Sequence, residues 1–293
     1  MWIASVDTGE RELVFAAEDL LLEAPNWTMD GETLILNGDG HLWRLDLADR
    51  RLEQVPLSGV PALNNDHVLA PDGEHIYVSA NNGHIYHANV DGGEARRVTT
   101  DDRWTHFLHG VSPDGSTLAR VGIEAGDFTR TGRLMTLPTD GGAASTIDTG
   151  SGHCDGPEFS PEGGWIYLNS ETFSTERGHA QLARIRTDGS EFEQLVTSNT
   201  VDWFPHLSPD GRRATYLRFP AGTLGHPADL EVELVVVTTD DWTTPVRTWT
   251  LFGGQGTLNV NSWSPDSDRF AYVAYPFVNA ADVATSSRSP RWG

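Results

Sequence analysis

The chain has 293 residues, of which 42 are acidic and 20 are basic, so its formal net charge at pH 7 is −22. This charge opposes binding to nucleic acid and to anionic membrane surfaces, and we expect neither partner. A lone cysteine, Cys154, rules out an internal disulfide. Because we see neither a signal-peptide pattern at the start nor ~18 consecutive apolar residues, we expect a cytoplasmic protein.

One turn motif, Pro-Asp-Gly or a close variant, recurs along the whole chain. The six copies are Met29-Asp30-Gly31, Pro71-Asp72-Gly73, Pro113-Asp114-Gly115, Pro161-Glu162-Gly163, Pro209-Asp210-Gly211 and Pro265-Asp266-Ser267. Their acidic residues are 42, 42, 48, 48 and 56 positions apart. Such a period is typical of one β-propeller blade per repeat.

Each repeat places a short strand before the turn and three strands after it, which predicts four-stranded blades. The sixth repeat stops after its first two strands, near Asn259 to Ser264 and Arg269 to Ala274. Trp2 to Asp7 and Arg11 to Phe15 supply the missing pair, and closing the ring with them removes two exposed sheet edges. We therefore predict an all-β fold, a six-bladed β-propeller of residues 1–276, followed by a flexible tail of residues 277–293.

The repeats resemble those of the TolB-type propellers, whose blades carry a similar Ser-Pro-Asp-Gly turn before a strand. The resemblance covers roughly residues 2 to 276. The chain is most similar to small bacterial TolB-like proteins without signal peptides, which share Asn64-Asn65-Asp66-His67, His109-Gly110, Asp155-Gly156-Pro157-Glu158, Asp202-Trp203-Phe204-Pro205-His206, Gly225-His226-Pro227 and Gly253-Gly254-Gln255-Gly256-Thr257. This resemblance implies the architecture and no particular activity, because one propeller fold hosts many functions.

Function is expected where the repeats differ, and the differences lie in and just before the innermost strands. Because these strands converge on the propeller axis, their leading ends form one mouth of the channel. Polar residues gathered there are costly unless they have partners. They predict either a hydrated, hydrogen-bonded channel or a ligand or metal site.

The ligand-site interpretation gives each candidate residue a role. The acid/base candidates are His206, Glu158 and Asp155. The substrate-binding candidates are Trp203, Asn65, Asp66, Asn261 and His226. The candidate ligands for one divalent ion (Mn, Ca or Zn) are His67, His109, His153 and Gln255.

Several of these residues also have purely structural interpretations. His67 and His109 could cap the neighbouring blade, and Asp155 and Glu158 could simply hold the start of a strand. His226 could belong to an ordinary surface loop. A cysteine hydrolase is a poor interpretation, because Cys154 beside His153 lacks a readable orienting group and oxyanion site.

Two functions follow from the mouth residues and the resemblances. The first is an enzyme acting on a small carbohydrate, since tryptophans lie near the same strand starts. Oligogalacturonate lyases are similar in outline and use His and Gln ligands for a divalent metal, which implies β-elimination as one reaction and leaves hydrolysis open. The second is a non-catalytic module that binds a protein or ligand, as TolB does.

Overall fold

The structure is a computed structural model that describes residues 1–275, and this part of the chain contains no helix. It therefore contains no helix that could cross a membrane. The predicted tail, residues 277–293, lies outside the described residues.

The strands form six sheets arranged as the blades of a β-propeller, as the repeat predicts. From the channel outward, blade 1 consists of Leu22–Trp27, Thr33–Gly38, His41–Asp46 and Leu52–Gln54. Blade 2 consists of Leu63–Leu69, His75–Ala80, His84–Asn89 and Arg96–Arg97. Blade 3 consists of Trp104–Val111, Thr117–Glu124, Arg133–Pro138 and Ser145–Thr146. Blades 4 and 5 consist of Cys154–Phe159, Trp165–Ser170, Gln181–Arg186 and Glu193–Gln194; and Val201–Leu207, Arg213–Phe219, Leu230–Thr238 and Arg247–Gly253. A short parallel pair, Leu57–Ser58 with Gly93–Glu94, links blades 1 and 2.

Blade 6 is shared between the two ends of the described chain. Its outer strands are Trp2–Ser5 and Arg11–Leu13, and Trp2–Ser5 pairs antiparallel with Arg269–Tyr272. The predicted closure by the N-terminal strands is therefore confirmed. The innermost strand of this blade is reduced to one isolated bridge, between Trp263 and Phe270.

The recurring turns have the geometry that their residues favour. In blade 3, Asp114 accepts hydrogen bonds from the Ser112 hydroxyl at 2.6 Å and from the Ser116 amide at 3.0 Å. The last residue of each turn has a positive φ, which costs glycine little, and Ser267 adopts it in the sixth copy with a φ of 63°.

The innermost strands of blades 1 to 5 each contain a β-bulge. Their pairing is interrupted between Glu23 and Asn26, Leu63 and His67, Leu108 and Gly110, Asp155 and Glu158, and Trp203 and His206. Six residues before the acidic turn residue, the backbone is left-handed at Ala24, Gly156 and Phe204. Such bulges bend a strand and redirect its side chains. Here they lie in the strands that form the channel mouth.

Deletion of residues 1–15 should abolish cooperative folding. The deletion removes two strands and the buried side chains of Ile3, Ala4, Val6 and Val14, and it leaves Arg269–Tyr272 as an open edge. Thermal unfolding followed by circular dichroism should then show no sharp transition. A variant that melts cooperatively within a few degrees of the intact chain would contradict closure as the basis of the ring.

Candidate functional site

Polar side chains of the innermost strands form two layers in the channel. The layer further along the strands, here called the channel belt, consists of Asn26, Glu158, His206 and Asn261. Asn26 donates to the Asn261 carbonyl at 2.6 Å and accepts from the Leu69 amide at 3.0 Å. The belt thereby joins blades 6, 1 and 2.

The predicted acid/base pair His206 and Glu158 lies in this belt. His206 Nδ1 is 2.6 Å from Glu158 Oε2, and His206 Nε2 is 3.1 Å from the Leu258 carbonyl. Glu158 Oε1 accepts from the Leu207 amide at 2.9 Å and from Asn261 Nδ2 at 2.7 Å. Both ring nitrogens of His206 are therefore in contact with protein groups, and these hydrogen bonds connect blades 4, 5 and 6. Asn261, predicted to bind substrate, belongs to the same set of hydrogen bonds.

The second layer lies at the channel mouth and is here called the Asp155 cluster: Asp155, His109, His153 and His226. Asp155 Oδ1 is 3.0 Å from His109 Nε2, and Asp155 Oδ2 is 3.7 Å from the Nε2 atoms of both His153 and His226. Distances of 3.7 Å are too long for hydrogen bonds. Three blades thus direct imidazoles at one carboxylate, and two of them make no hydrogen bond to it.

A chain of hydrogen bonds fixes the tautomer of the neutral His226 ring. The Gly256 amide donates to Asn259 Oδ1 at 2.8 Å, so Asn259 Nδ2 is free to donate to Gln255 Oε1 at 3.2 Å. Gln255 Oε1 also contacts His226 Nδ1, which must carry a proton, and Gln255 Nε2 donates to Asn65 Oδ1 at 3.2 Å. In the neutral ring, the lone pair of His226 Nε2 then faces Asp155.

The neutral His153 ring has the opposite tautomer. Its Nδ1 accepts a hydrogen bond from the Gly132 amide at 2.9 Å, so in the neutral ring the proton is on Nε2. Burial opposes a charge on His153, but the nearby negative charge of Asp155 raises its pKa above the usual value. His153 therefore presents an N–H donor to the carboxylate that His226 faces with a lone pair.

Two buried carboxylates give His109 a positive charge. Burial opposes this charge, yet Asp66 and Asp155 together raise the pKa of His109 to about 9. Burial raises the pKa of Asp66 to about 6, against the attraction of His109. Burial also acts to raise the pKa of Asp155, but contacts with the three imidazoles hold it well below the usual range.

Aromatic rings support the cluster from behind. The ring of Trp203 lies 4.4 Å from that of His226, and Phe204 lies 5.0 Å from His226 and 5.9 Å from His109. Trp203 is only 1% exposed, so it positions imidazoles and does not offer the open face that its predicted substrate-binding role requires. Phe204 was not predicted to be a site residue. The sequence feature that could have identified Phe204 is its position, six residues before the acidic residue of the turn. Blade 4 has Gly156 at the equivalent position.

The predicted metal site is not formed. No group of three or more His, Cys, Asp or Glu side chains in residues 1–275 is placed to hold a metal ion. His109 Nε2 instead contacts Asp155 Oδ1 at 3.0 Å, and His153 Nδ1 accepts a hydrogen bond from the Gly132 amide at 2.9 Å. Of the other two predicted ligands, His67 is fully buried with both ring nitrogens unpaired among these residues, and Gln255 orients His226.

Known proteins share this architecture. An uncharacterised protein from Agrobacterium fabrum is 37% identical over 278 residues, which cover 93% of this chain and 91% of that protein. The structure of a candidate TolB from Agrobacterium tumefaciens has a TM-score of 0.86 and 37% identity, covering 94% of this chain and 98% of the other. An oligogalacturonate lyase in complex with manganese has a TM-score of 0.59 at 15% identity, covering 91% and 75%. No family model matches the chain.

A closed ring of six blades with polar residues at its channel mouth places the protein among the six-bladed β-propellers. The two Agrobacterium proteins are each 37% identical to this chain, and each similarity covers more than nine-tenths of both chains compared. The chain belongs to the TolB-like propeller family. The likeness to the lyase, at 15% identity, concerns the fold alone.

The charge of His109 should depend on Asp66. Because its folded pKa of about 9 exceeds the ordinary 6.5, the protonated ring stabilises the fold fully below pH 6.5, and this contribution is lost as the pH rises through about 9. Asp66→Asn should lower the pKa by about one unit or more. Proton–nitrogen NMR titration measures this, with exposed Asp49→Asn as control. A wild-type pKa near 6.5 would contradict this electrostatic account.

Cys154 should be inert in the folded protein. It is 1% exposed, burial raises its pKa to about 12, and its thiol contacts the Gly132 carbonyl at 3.4 Å. A disulfide reagent should therefore label it only at the rate of unfolding. Rapid stoichiometric labelling under native conditions would show that the thiol is accessible.

Proposed function

We propose that the protein is an enzyme acting on a small carbohydrate, with acid–base chemistry at the Asp155 cluster. The supporting observation is that His226 Nε2 and His153 Nε2 lie at the same distance, 3.7 Å, from one oxygen of Asp155, while their Nδ1 partners favour different tautomers of the neutral rings. A neighbouring base and acid are what cleavage of a glycosidic bond requires.

His226 is the base in this proposal. Gln255 keeps the proton of its ring on Nδ1, so Nε2 can accept a proton from substrate, and Asp155 then stabilises the imidazolium that forms. The His226 side chain is 22% exposed, so a ligand at the mouth can reach it.

His153 is the acid, because its Nε2 carries a proton and contact with Asp155 favours the charged ring. Its side chain is 25% exposed, whereas that of His109 is 4% exposed. His109 therefore acts as a buried positive charge that holds Asp155 ionised and in place.

These roles fit β-elimination from a uronic acid unit. His226 takes the proton from the carbon next to the sugar carboxylate, the released electron pair forms a carbon–carbon double bond, and the glycosidic C–O bond breaks. His153 gives its proton to the leaving oxygen. The distant fold similarity to an oligogalacturonate lyase makes this the first reaction to test, with hydrolysis as the other outcome.

A divalent ion has no step in this scheme, since His109 and His153 do not offer lone pairs in the present arrangement. Because the distant lyase was solved in complex with manganese, activity should be assayed both with and without Mn²⁺. Should Mn²⁺ be required, both rings would have to lose or relocate a proton.

A non-catalytic binding module is the second candidate. It is favoured by the similarity to a candidate TolB, which is 37% identical over almost the whole chain. In that case the Asp155 cluster would orient a bound ligand or a protein segment without turnover.

Oligogalacturonides and a panel of neutral oligosaccharides test the proposal. Ultraviolet absorbance of a new double bond reports elimination, and new reducing ends without it report hydrolysis. His226→Gln and Asp155→Asn should each lower kcat by about 10²–10⁴-fold, because each removes a proton-transfer group or its partner. Exposed His41→Gln should leave kcat unchanged.

The enzymatic proposal fails if no substrate turns over with or without Mn²⁺, Ca²⁺ or Zn²⁺. It also fails if both variants match the wild type. Capture of one stoichiometric protein partner in the absence of turnover would establish the binding module instead.

A further inference from the structure

A buried arginine lies in the seam between blades 2 and 3, outside the Asp155 cluster. Arg120 is 0% exposed, and its Nε and Nη1 atoms have no hydrogen-bond partner within residues 1–275. Side chains alternate along a strand, so Arg120 shares a face with Leu118, which packs against Ile85 of blade 2. The positive charge of Arg120 is therefore buried in the seam between the two blades.

The space for this guanidinium depends on Gly122. A Cβ atom at that position would lie 2.9 Å from Arg120 Nη1, 2.5 Å from Met135 Sδ and 3.3 Å from the Trp104 ring. Glycine thus lets the arginine extend along the seam toward the Trp104 end of the blade.

His106 lies on the same face, and its lone pair is also unpaired. Its Nε2 donates to the Asp101 carbonyl at 3.0 Å, which leaves a lone pair on Nδ1, and this buried atom has no partner among the described residues. Burial and then the charge of Arg120 lower the pKa of His106 to about 3, so its ring is neutral.

No carboxylate in the described chain pairs with Arg120. Asp101 is the one whose charge acts on it, but both Asp101 oxygens bind the side chain of Arg103, at 2.9 and 2.7 Å. A buried charge normally has an opposite charge in contact with it. Among residues 1–275, Arg120 is therefore influenced by Asp101 from a distance but has no carboxylate in contact with it.

We propose that the seam between blades 2 and 3 binds a small monovalent anion, held by an unpaired N–H group of Arg120, at Nε or at Nη1. Each of these N–H groups can donate to one oxygen of a carboxylate group or to a halide ion. A water molecule could bridge Arg120 to His106 Nδ1, but it would leave the charge uncompensated. The site uses no residue of the Asp155 cluster, so it stands or falls independently of the proposed activity.

Thermal unfolding in chloride tests the site. Sodium chloride replaces sodium gluconate at constant ionic strength, because gluconate is too large to enter a buried seam. The Tm of the wild type should rise by a few degrees and saturate, as expected for an anion that binds only the folded protein. Sodium formate in place of chloride shows whether a carboxylate also binds.

Two variants give the comparison. Arg120→Met should lose the saturable rise and should be at least as stable as the wild type in gluconate, since it removes an unpaired buried charge. Arg212→Met is the matched control, because the Arg212 side chain is 85% exposed and reaches Asp210 only at 4.0 Å. It should keep the wild-type response.

An equal response to chloride and gluconate in the wild type would overturn the proposal, as would an unchanged chloride response in Arg120→Met. Should that variant fail to fold, wild-type crystals grown in sodium bromide provide the decision. An anomalous peak within hydrogen-bond distance of Arg120 Nε or Nη1 supports the site, and a water molecule or empty space there overturns it.

Discussion

The two ends of the described chain meet in one sheet, where Trp2 pairs with Tyr272 and Ser5 pairs with Arg269. This pairing closes the ring and so determines how the innermost strands converge. The residues at the mouth come from different blades: Asn65 from blade 2, His109 from blade 3, Asp155 from blade 4, and His226 from blade 5. Because no two of them are close in sequence, their mutual distances exist only while the ring is closed.

Within the closed ring, the channel belt and the Asp155 cluster differ in how completely their polar atoms are hydrogen-bonded. Buried polar groups are costly when unpaired, and those of His206, Glu158 and Asn261 all have protein partners. The channel belt therefore stabilises contacts between blades. At the mouth, by contrast, two imidazole nitrogens lie 3.7 Å from Asp155 without a hydrogen bond to it. This difference is why the candidate chemistry belongs to the mouth.

The fold was predictable because its signal is local and repeated. Each turn copy carries the residues that its backbone conformation needs, and even Ser267 appears at the expected place. The site was predictable only in part. Position relative to the turns identified His109 and Asp155, and the long loop of the fifth blade drew attention to His226. The same comparison also selected His206 and His67, because a sequence does not show which way a β-bulge directs a side chain.

Protonation could not be read from the sequence at all. Whether His153 presents a lone pair or an N–H depends on the Gly132 amide, 21 residues away on another blade. For His226 it depends on a hydrogen-bond chain that begins at the Gly256 amide. The sequence therefore identified candidate imidazoles but not the hydrogen bonds that determine which ring nitrogens carry protons.

The central claim is that these backbone-anchored contacts hold the three imidazoles around Asp155 in three different states. Nitrogen-15 chemical shifts of His109, His153 and His226 at pH 7 test it most directly, since protonated and unprotonated ring nitrogens are well separated. The account predicts protons on both nitrogens of His109, a proton on Nε2 of His153, and a proton on Nδ1 of His226. Three rings with the same averaged shifts, or an unprotonated Nε2 in His109 and His153, would contradict it.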